Sequence, residues 1–333
     1  MWFAADKTLD PAIEACSLTP HDLDTLTQKA YLLITTVGPY VQYGHHAYKS
    51  CAENGTHYLD VTGEAIFTSR MIKQYSSLAS SSGAMLFSQV GIESAPSDLC
   101  TWMLAKTLRE QLSAQTGEVV LSAELSGRPS GGTLASALGI FENCSMKELR
   151  YVHRPFALSP VKNEYASHKM KNSWWSKLTG LREVPGLGLN TTSIANGTDG
   201  AIVGRTWGLL ASLPERRNEF YGERFSWVQY MGVESRFRGM MIHLCLIVFS
   251  ILLAALPPFR RLVKKFVAFQ PGDGPDMEAS KKNEIRYRGF AKPDSEHKGE
   301  RRRAYCEARY RGSMYYCRFT SLCNSSLSLG NVS

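Results

Sequence analysis

Ten residues near the start of the chain, Tyr31-Leu-Leu-Ile-Thr-Thr-Val-Gly-Pro-Tyr40, restrict its fold more than any other stretch. An unbroken run of apolar and threonine side chains that stops on a glycine-proline turn is the pattern of a short strand covered on both faces. Such strands belong to doubly wound parallel sheets, which bind ligands at the carboxyl ends of their strands. The residues that follow keep the pattern. Gln42 to Asn54 reads as a helix ending at Gly55, a residue suited to the left-handed turn there. Thr56 to Val61 is a second short strand closed by Thr62-Gly63-Glu64, Ala65 to Ser80 a second helix, and Ala84 to Val90 a third strand. Three strand and helix alternations with short loops predict a parallel sheet. The glycine-rich turn that opens such a sheet around a dinucleotide is not upstream, because residues 1–30 contain no glycine.

Beyond the third strand, Pro96 and Asp98 open a helix from about Leu99 to Gln115, both residues being favoured in a first turn. The texture changes after Gly117: Val119 to Leu125 is a β run, Ser126 to Gly132 a loop, and Thr133 to Asn143 helical. Residues 150–200 are rich in Pro, Ser, Gly and Asn, as in a long surface excursion. The expected fold class is α/β: an incomplete parallel sheet over residues 1–116, then a second α+β unit for substrate and dimerisation over residues 117–275, so that a homodimer is an open expectation. Residues 239–259 contain no charged side chain and are followed by Arg260, Arg261, Lys264 and Lys265. That length just reaches across hydrocarbon. Membrane association, inserted or surface-lying, is preferred to a buried core helix, and basic residues on both sides leave the orientation open.

The formal charge of +8 does not point to nucleic acid. Much of it crowds into the last sixth of the chain, from Lys281 to Arg311, and no recognition motif accompanies it. Residues 276–333 therefore read as a solvated, poorly ordered basic segment. The eight cysteines include no Cys-x-x-Cys pair and no histidine partner at ligand spacing, so no metal is expected. The N-terminus has no secretory cleavage pattern, and reduced thiols facing the cytosol are the expected state.

Several motifs occur in order at family-like spacings: Val37-Gly38-Pro39-Tyr40 with Tyr43-Gly44, Glu53 to Asp60, Thr62-Gly63-Glu64, Gly91 to Leu99 and Ser130-Gly131-Gly132-Thr133. Pro155 to Pro160, Val203 to Trp207, Tyr221 to Phe225 and Pro271 to Pro275 continue the series. From about residue 30 to 275 the chain resembles the saccharopine dehydrogenase-like oxidoreductases, the group that includes trans-acting enoyl reductases. The resemblance implies a Rossmann domain binding NADP or NAD, a second α/β domain, and hydride transfer to an activated, lipid-like acceptor. For several relatives it implies attachment to membranes or lipid droplets. It also implies an N-terminally truncated member, since the family's first strand and glycine turn are missing. Localisation on the cytosolic face of a lipid droplet, endoplasmic reticulum or mitochondrial membrane is expected, with the cytoplasm as the alternative. A second reading keeps the fold as a non-catalytic membrane or lipid-droplet protein without cofactor binding.

Thr36, Val37, Gly38, Pro39 and Tyr40 are the first cofactor candidates, at a strand's carboxyl end where a nicotinamide ribose can approach backbone. Asp60, Gly63 and Glu64 follow the next strand at the same rim. Glu64 suits either a ribose hydroxyl or the ordering of its loop, and Asp60 also suits a turn cap. Ser94 could orient substrate or begin a helix. Backbone donors of Ser130, Gly131, Gly132 and Thr133 suit an anionic substrate group or a helix cap. Arg205, after a strand-like Ala201-Ile202-Val203, suits a carboxylate, a phosphate or a structural ion pair. His45, His46 and His57 lack an evident carboxylate partner, and no catalytic base is assigned.

Overall fold

The computed structural model describes residues 12–91, 94–125, 139–140, 143–165, 173–267, 283–294, 302–311 and 328–330. It is mixed α/β, with a parallel three-stranded sheet followed by a seven-stranded mixed sheet. The first part runs α1 (Pro20–Lys29), β1 (Leu32–Thr35), α2 (Tyr40–Asn54), β2 (His57–Asp60), α3 (Ala65–Ser82) and β3 (Leu86–Phe87). Strand order is β1-β2-β3, with Leu33 opposite Tyr58 and Tyr58 opposite Leu86. Alternation along these strands turns Leu33, Tyr58 and Leu86 toward Tyr48, Phe67, Met71 and Tyr75 on α2 and α3. Leu32, Ile34 and Phe87 have the opposite parity and are exposed. The strand pattern predicted cover on both faces; among the described residues only one face has it. The third strand, Leu86–Phe87, is also shorter than expected, and just beyond it Gln89 takes φ +64°.

The second part contains α4 (Ala95–Leu112), β4 (Thr116–Leu125), α5 (Met146–Val152), α6 (Trp174–Thr179), β5 (Arg182–Val184) and β6 (Gly188–Thr192). It continues with α7 (Asn196–Ser212), β7 (Ser226–Gly232), α8 (Arg236–Ala255), α9 (Pro257–Val267), β8 (Glu284–Pro293), β9 (Arg303–Arg311) and β10 (Ser328–Gly330). The strand order is β10-β9-β8-β4-β7-β6-β5, antiparallel except for β4 beside β7. One face packs Leu121, Ala123, Tyr287, Ala291 and Ala304 under Leu104 and Leu108 of α4 and Val203 and Trp207 of α7. The other face carries Val120, Tyr230 and Phe290 among ion pairs, including Arg286 with Glu307 at 2.9 Å and Lys292 with Glu118.

Two expectations are corrected. The basic stretch read as a poorly ordered segment supplies β8 and β9 near the centre of the second sheet. Its charges sit on alternate positions: Arg286, Arg288 and Lys292 face outward while Ile285, Tyr287 and Ala291 are buried. A run counted by charge hides that period of two. Likewise Ala201-Ile202-Val203 is not a strand but lies inside α7. There the glycines serve close packing: a Cβ on Gly204 would stand 2.8 Å from the Phe156 backbone, and one on Gly208 2.7 Å from Pro160.

The two parts share a boundary rather than a linker. Ala65 and Ile66 of α3 pack with Val152, Leu158 and Ala201, and Arg70 pairs with Glu148 at 2.8 Å. Helix α4, counted with the first unit by sequence, packs on the second sheet.

Candidate functional site

The carboxyl ends of the three parallel strands form one rim. Thr36, Val37 and Gly38 after β1, Val61 after β2 and Val90 after β3 are exposed along it. The β2 and β3 loops touch: the Val90 amide donates to the Asp60 carbonyl at 2.8 Å, and a Cβ on Gly91 would stand 3.2 Å from the Val61 carbonyl. Tyr40 opens α2 from a buried position, and its hydroxyl donates to the Thr35 carbonyl at 2.9 Å. Burial first, and the Asp60 charge second, push its phenol far above the usual tyrosine range. Pro39 is part-buried at this turn, and Gly63 is part-buried in the next loop.

Glu64 is 1% exposed, and its two oxygens accept from the backbone amides of Tyr40 (2.9 Å) and Val41 (2.8 Å). The helix N-terminus beside the rim is thus neutralised from within, and a carboxylate is the natural partner for those amides. Of the two roles open to Glu64, ordering the turn is the one these bonds perform. Replacing Glu64 with Ala should leave two amides at the α2 start without acceptors and cost about 2–3 kcal/mol. Urea unfolding of E64A against the parent checks this, and a loss below about 0.5 kcal/mol contradicts it.

Asp60 is fully buried and accepts from the amides of Thr62 (3.0 Å) and Gln89 (2.8 Å) through Oδ1. Its Oδ2 is buried beside the hydroxyls of Tyr58 and Ser88. Burial raises the carboxyl pKa above the ordinary value, against the pull of the two amides and then of the Ser88 and Tyr58 hydroxyls. Gln89 carries the chain of polar contacts inward. Its side-chain amide donates to Thr68 Oγ1 at 2.8 Å, and the Ser94 hydroxyl lies 3.4 Å from its Oε1.

Ser94 does not cap α4 with its side chain. It faces Asp199 of α7, donating to Oδ1 at 3.3 Å. Asp199 also receives the Gln229 amide at 2.7 Å and the Ser97 hydroxyl at 2.9 Å, while Ser97 lies 2.6 Å from Gln229 Oε1. Ser94, Ser97, Asp199 and Gln229 are all buried, between 0 and 2% exposed. A connected polar chain therefore runs from the rim through Gln89 to the second sheet. Asp199 and Gln229 were not among the sequence candidates. Asn196 to Asp199 falls within the stretch read as a long surface excursion, and nothing local marks a carboxylate whose partners lie 102 and 105 residues away.

The remaining candidates separate. Ser130, Gly131, Gly132 and Thr133 lie outside the described residues. His45 is paired with the Tyr75 hydroxyl at 2.8 Å. His57 sits at the start of β2, away from the rim, and its Nδ1 accepts from the Met85 amide at 3.1 Å. Arg205 donates to the Leu158 carbonyl at 3.2 Å, a structural tie. Among the described residues no group of His, Cys, Asp or Glu has the arrangement of a metal site.

No family model matches the chain. It is 33% identical over 156 residues to the trans-acting enoyl reductase of Mycobacterium leprae, covering 45% of this chain and 37% of that protein. The Mycobacterium ulcerans trans-acting enoyl reductase is 31% identical over 153 residues, with 45% and 37% covered. A Mycobacterium tuberculosis protein carrying the same name provisionally is 34% identical over 153 residues, with 45% and 36% covered. The matches span little more than a third of these relatives' length, and within that span the chain is similar to proteins named trans-acting enoyl reductase.

Proposed function

We propose that this chain carries the nicotinamide side of an enoyl reductase-like oxidoreductase that uses NADP or NAD on a lipid-like substrate. One observation carries the reading: the chain is similar to trans-acting enoyl reductases and also holds a parallel sheet whose carboxyl-end rim, among the described residues, is exposed at Thr36 to Gly38, Val61 and Val90. The rim suits the flat end of a nicotinamide nucleotide. Thr36 to Gly38 are exposed at the turn and offer hydrogen-bonding groups for a ribose besides the Val37 amide, which donates to Thr35 Oγ1 at 3.3 Å, and Val37, Val61 and Val90 offer an apolar shelf for the ring. A pyrophosphate needs free helix N-terminal amides, and at α2 Glu64 already takes two of them. The reading therefore assigns the ring and ribose to this rim and leaves the pyrophosphate to other residues.

When bound, the cofactor supplies the hydride. Glu64 and Asp60 hold the loops that form the shelf, and the Ser94–Asp199 contact fixes the second unit behind it. The test titrates NADPH and NADH into the folded full chain, followed by nicotinamide fluorescence, with Val37→Asp and Val61→Asp as rim variants. Saturable binding weakened about tenfold or more by either variant is expected, a difference of about 1.4 kcal/mol. Both side chains are exposed, so the variants keep the fold. A folded chain without saturable binding overturns the reading and returns the rim to a non-catalytic scaffold.

A further inference from the structure

Helix α8 is apolar for most of its 20 residues, yet only Gly239, His243 and Leu253 are buried. All three tie it to protein. A Cβ on Gly239 would stand 2.6 Å from Leu181, and the Gly239 carbonyl accepts from Thr191 Oγ1 at 2.8 Å. His243 is held between Thr192 Oγ1 at 2.8 Å and the Lys177 carbonyl at 3.3 Å. Among the described residues Leu253 packs with Val263 and Phe259 of α9, the helix that folds back on it. Among the described residues the stretch from Leu244 to Ile251 stays largely uncovered, although Phe249 meets Phe259 of α9 edge-on at 5.7 Å: Leu244, Ile247, Val248, Phe249 and Ile251 are 38 to 58% exposed.

The docked turns decide between spanning and lying on a bilayer. With Arg236 to His243 fastened to β6 and α6, the stretch from Leu244 to Ala255 is free, about 18 Å at the helical rise. Hydrocarbon about 30 Å thick is beyond its reach. The surroundings match a headgroup layer. From Ser235 to Gly272 the sequence has no Asp or Glu but holds Arg236, Arg238, Arg260, Arg261, Lys264 and Lys265. On α6, whose carbonyl holds His243, Trp174 and Trp175 stack at 4.0 Å and are 62 and 58% exposed. Exposed tryptophans, an apolar helix and a basic rim together fit the interface of an anionic leaflet.

We propose that α8 and α9 form a monotopic helical hairpin that sinks into one leaflet of an anionic phospholipid bilayer without crossing it, with Trp174 and Trp175 at the interface. The proposal is independent of cofactor binding. It is tested with the full chain and vesicles of phosphatidylcholine alone or mixed with phosphatidylglycerol, read by co-sedimentation and by tryptophan quenching with brominated lipids. Binding to mixed vesicles should exceed binding to neutral ones about tenfold, as several basic side chains near the surface imply. Ile247→Glu with Ile251→Glu, both at exposed positions, should reduce it at least about tenfold at unchanged circular dichroism. Arg261→Glu with Lys265→Glu should remove the preference for anionic lipid. A cysteine placed by Lys265→Cys, followed by site-resolved mass spectrometry, should react with an impermeant maleimide added outside intact vesicles. Labelling at that site only after lysis means a spanning helix and overturns the proposal. So does a stable dimer that protects the apolar face and ignores vesicles, which would make α8 a contact between copies.

Discussion

Asp199→Ala is expected to lower the stability of the folded chain by about 3–5 kcal/mol. The carboxylate accepts from Gln229 Nε2, Ser97 Oγ and Ser94 Oγ, and all three donors are buried. Removing the acceptor leaves groups that no water can reach, and each unsatisfied donor costs about 1–3 kcal/mol. A small cavity adds to the loss. Because α4 and α7 meet at this point, the second unit's packing against the rim should loosen as well. Urea unfolding followed by tryptophan fluorescence measures both effects, since the Trp227 indole donates to Thr101 Oγ1 on α4 at 2.9 Å. Asp199→Asn keeps one acceptor oxygen and should recover part of the loss. A change under about 1 kcal/mol in D199A would mean that the network is not what holds α4 to α7 and β7.

The contrast between α2 and α7 explains what could be read from the sequence. Helix α2 announces itself: a Gly-Pro entry, a run interrupted by a single glycine, Gly44, and Gly55 at φ +73° where the left-handed turn falls. The structure ends the helix at Asn54 as read and starts it at Tyr40, two residues earlier than read. Strand β2 and helix α3 were legible for the same reason, since their signals lie within the element. Helix α7 hides its character behind β-branched residues and four glycines, Gly197, Gly200, Gly204 and Gly208, that weaken helix propensity. It forms because Trp227, Phe156 and Pro160 approach where those glycines have no side chain. Packing decides it, and packing is not local. The site divides in the same way. The rim from Thr36 to Tyr40 follows from strand order alone, whereas the Glu64 bonds to α2 span 23 and 24 residues, and no spacing rule reports them.

Asp98 sets the pH dependence expected of this boundary. In sequence it is an acidic residue near the start of α4, favoured by the helix dipole. In the fold its carboxyl turns inward: Oδ2 accepts from Thr206 on α7 at 2.7 Å, while Oδ1 is buried without a partner. Close by is the Tyr221 hydroxyl, also buried and unpartnered, its phenol raised first by burial and then by the Asp98 charge. Burial pushes the Asp98 carboxyl up to about 7 from 3.8, with the Thr206 hydroxyl pulling partly back. The folded state therefore holds this proton more tightly than the unfolded state does. The resulting stability is fully present below pH 3.8 and is lost as the pH rises through about 7. A difference of about three pKa units amounts to roughly 4 kcal/mol over that range, of which about 2–3 kcal/mol falls between pH 5 and pH 8. Asp98→Asn keeps an acceptor for Thr206 and carries no charge at any pH. It should match the parent most closely in acid and exceed it by several kcal/mol at pH 8, because only the parent must bury an ion there. Urea unfolding of the two proteins at pH 5 and pH 8 measures the difference. Parallel pH dependence in D98N and the parent would show that Asp98 ionises in the fold as it does in water.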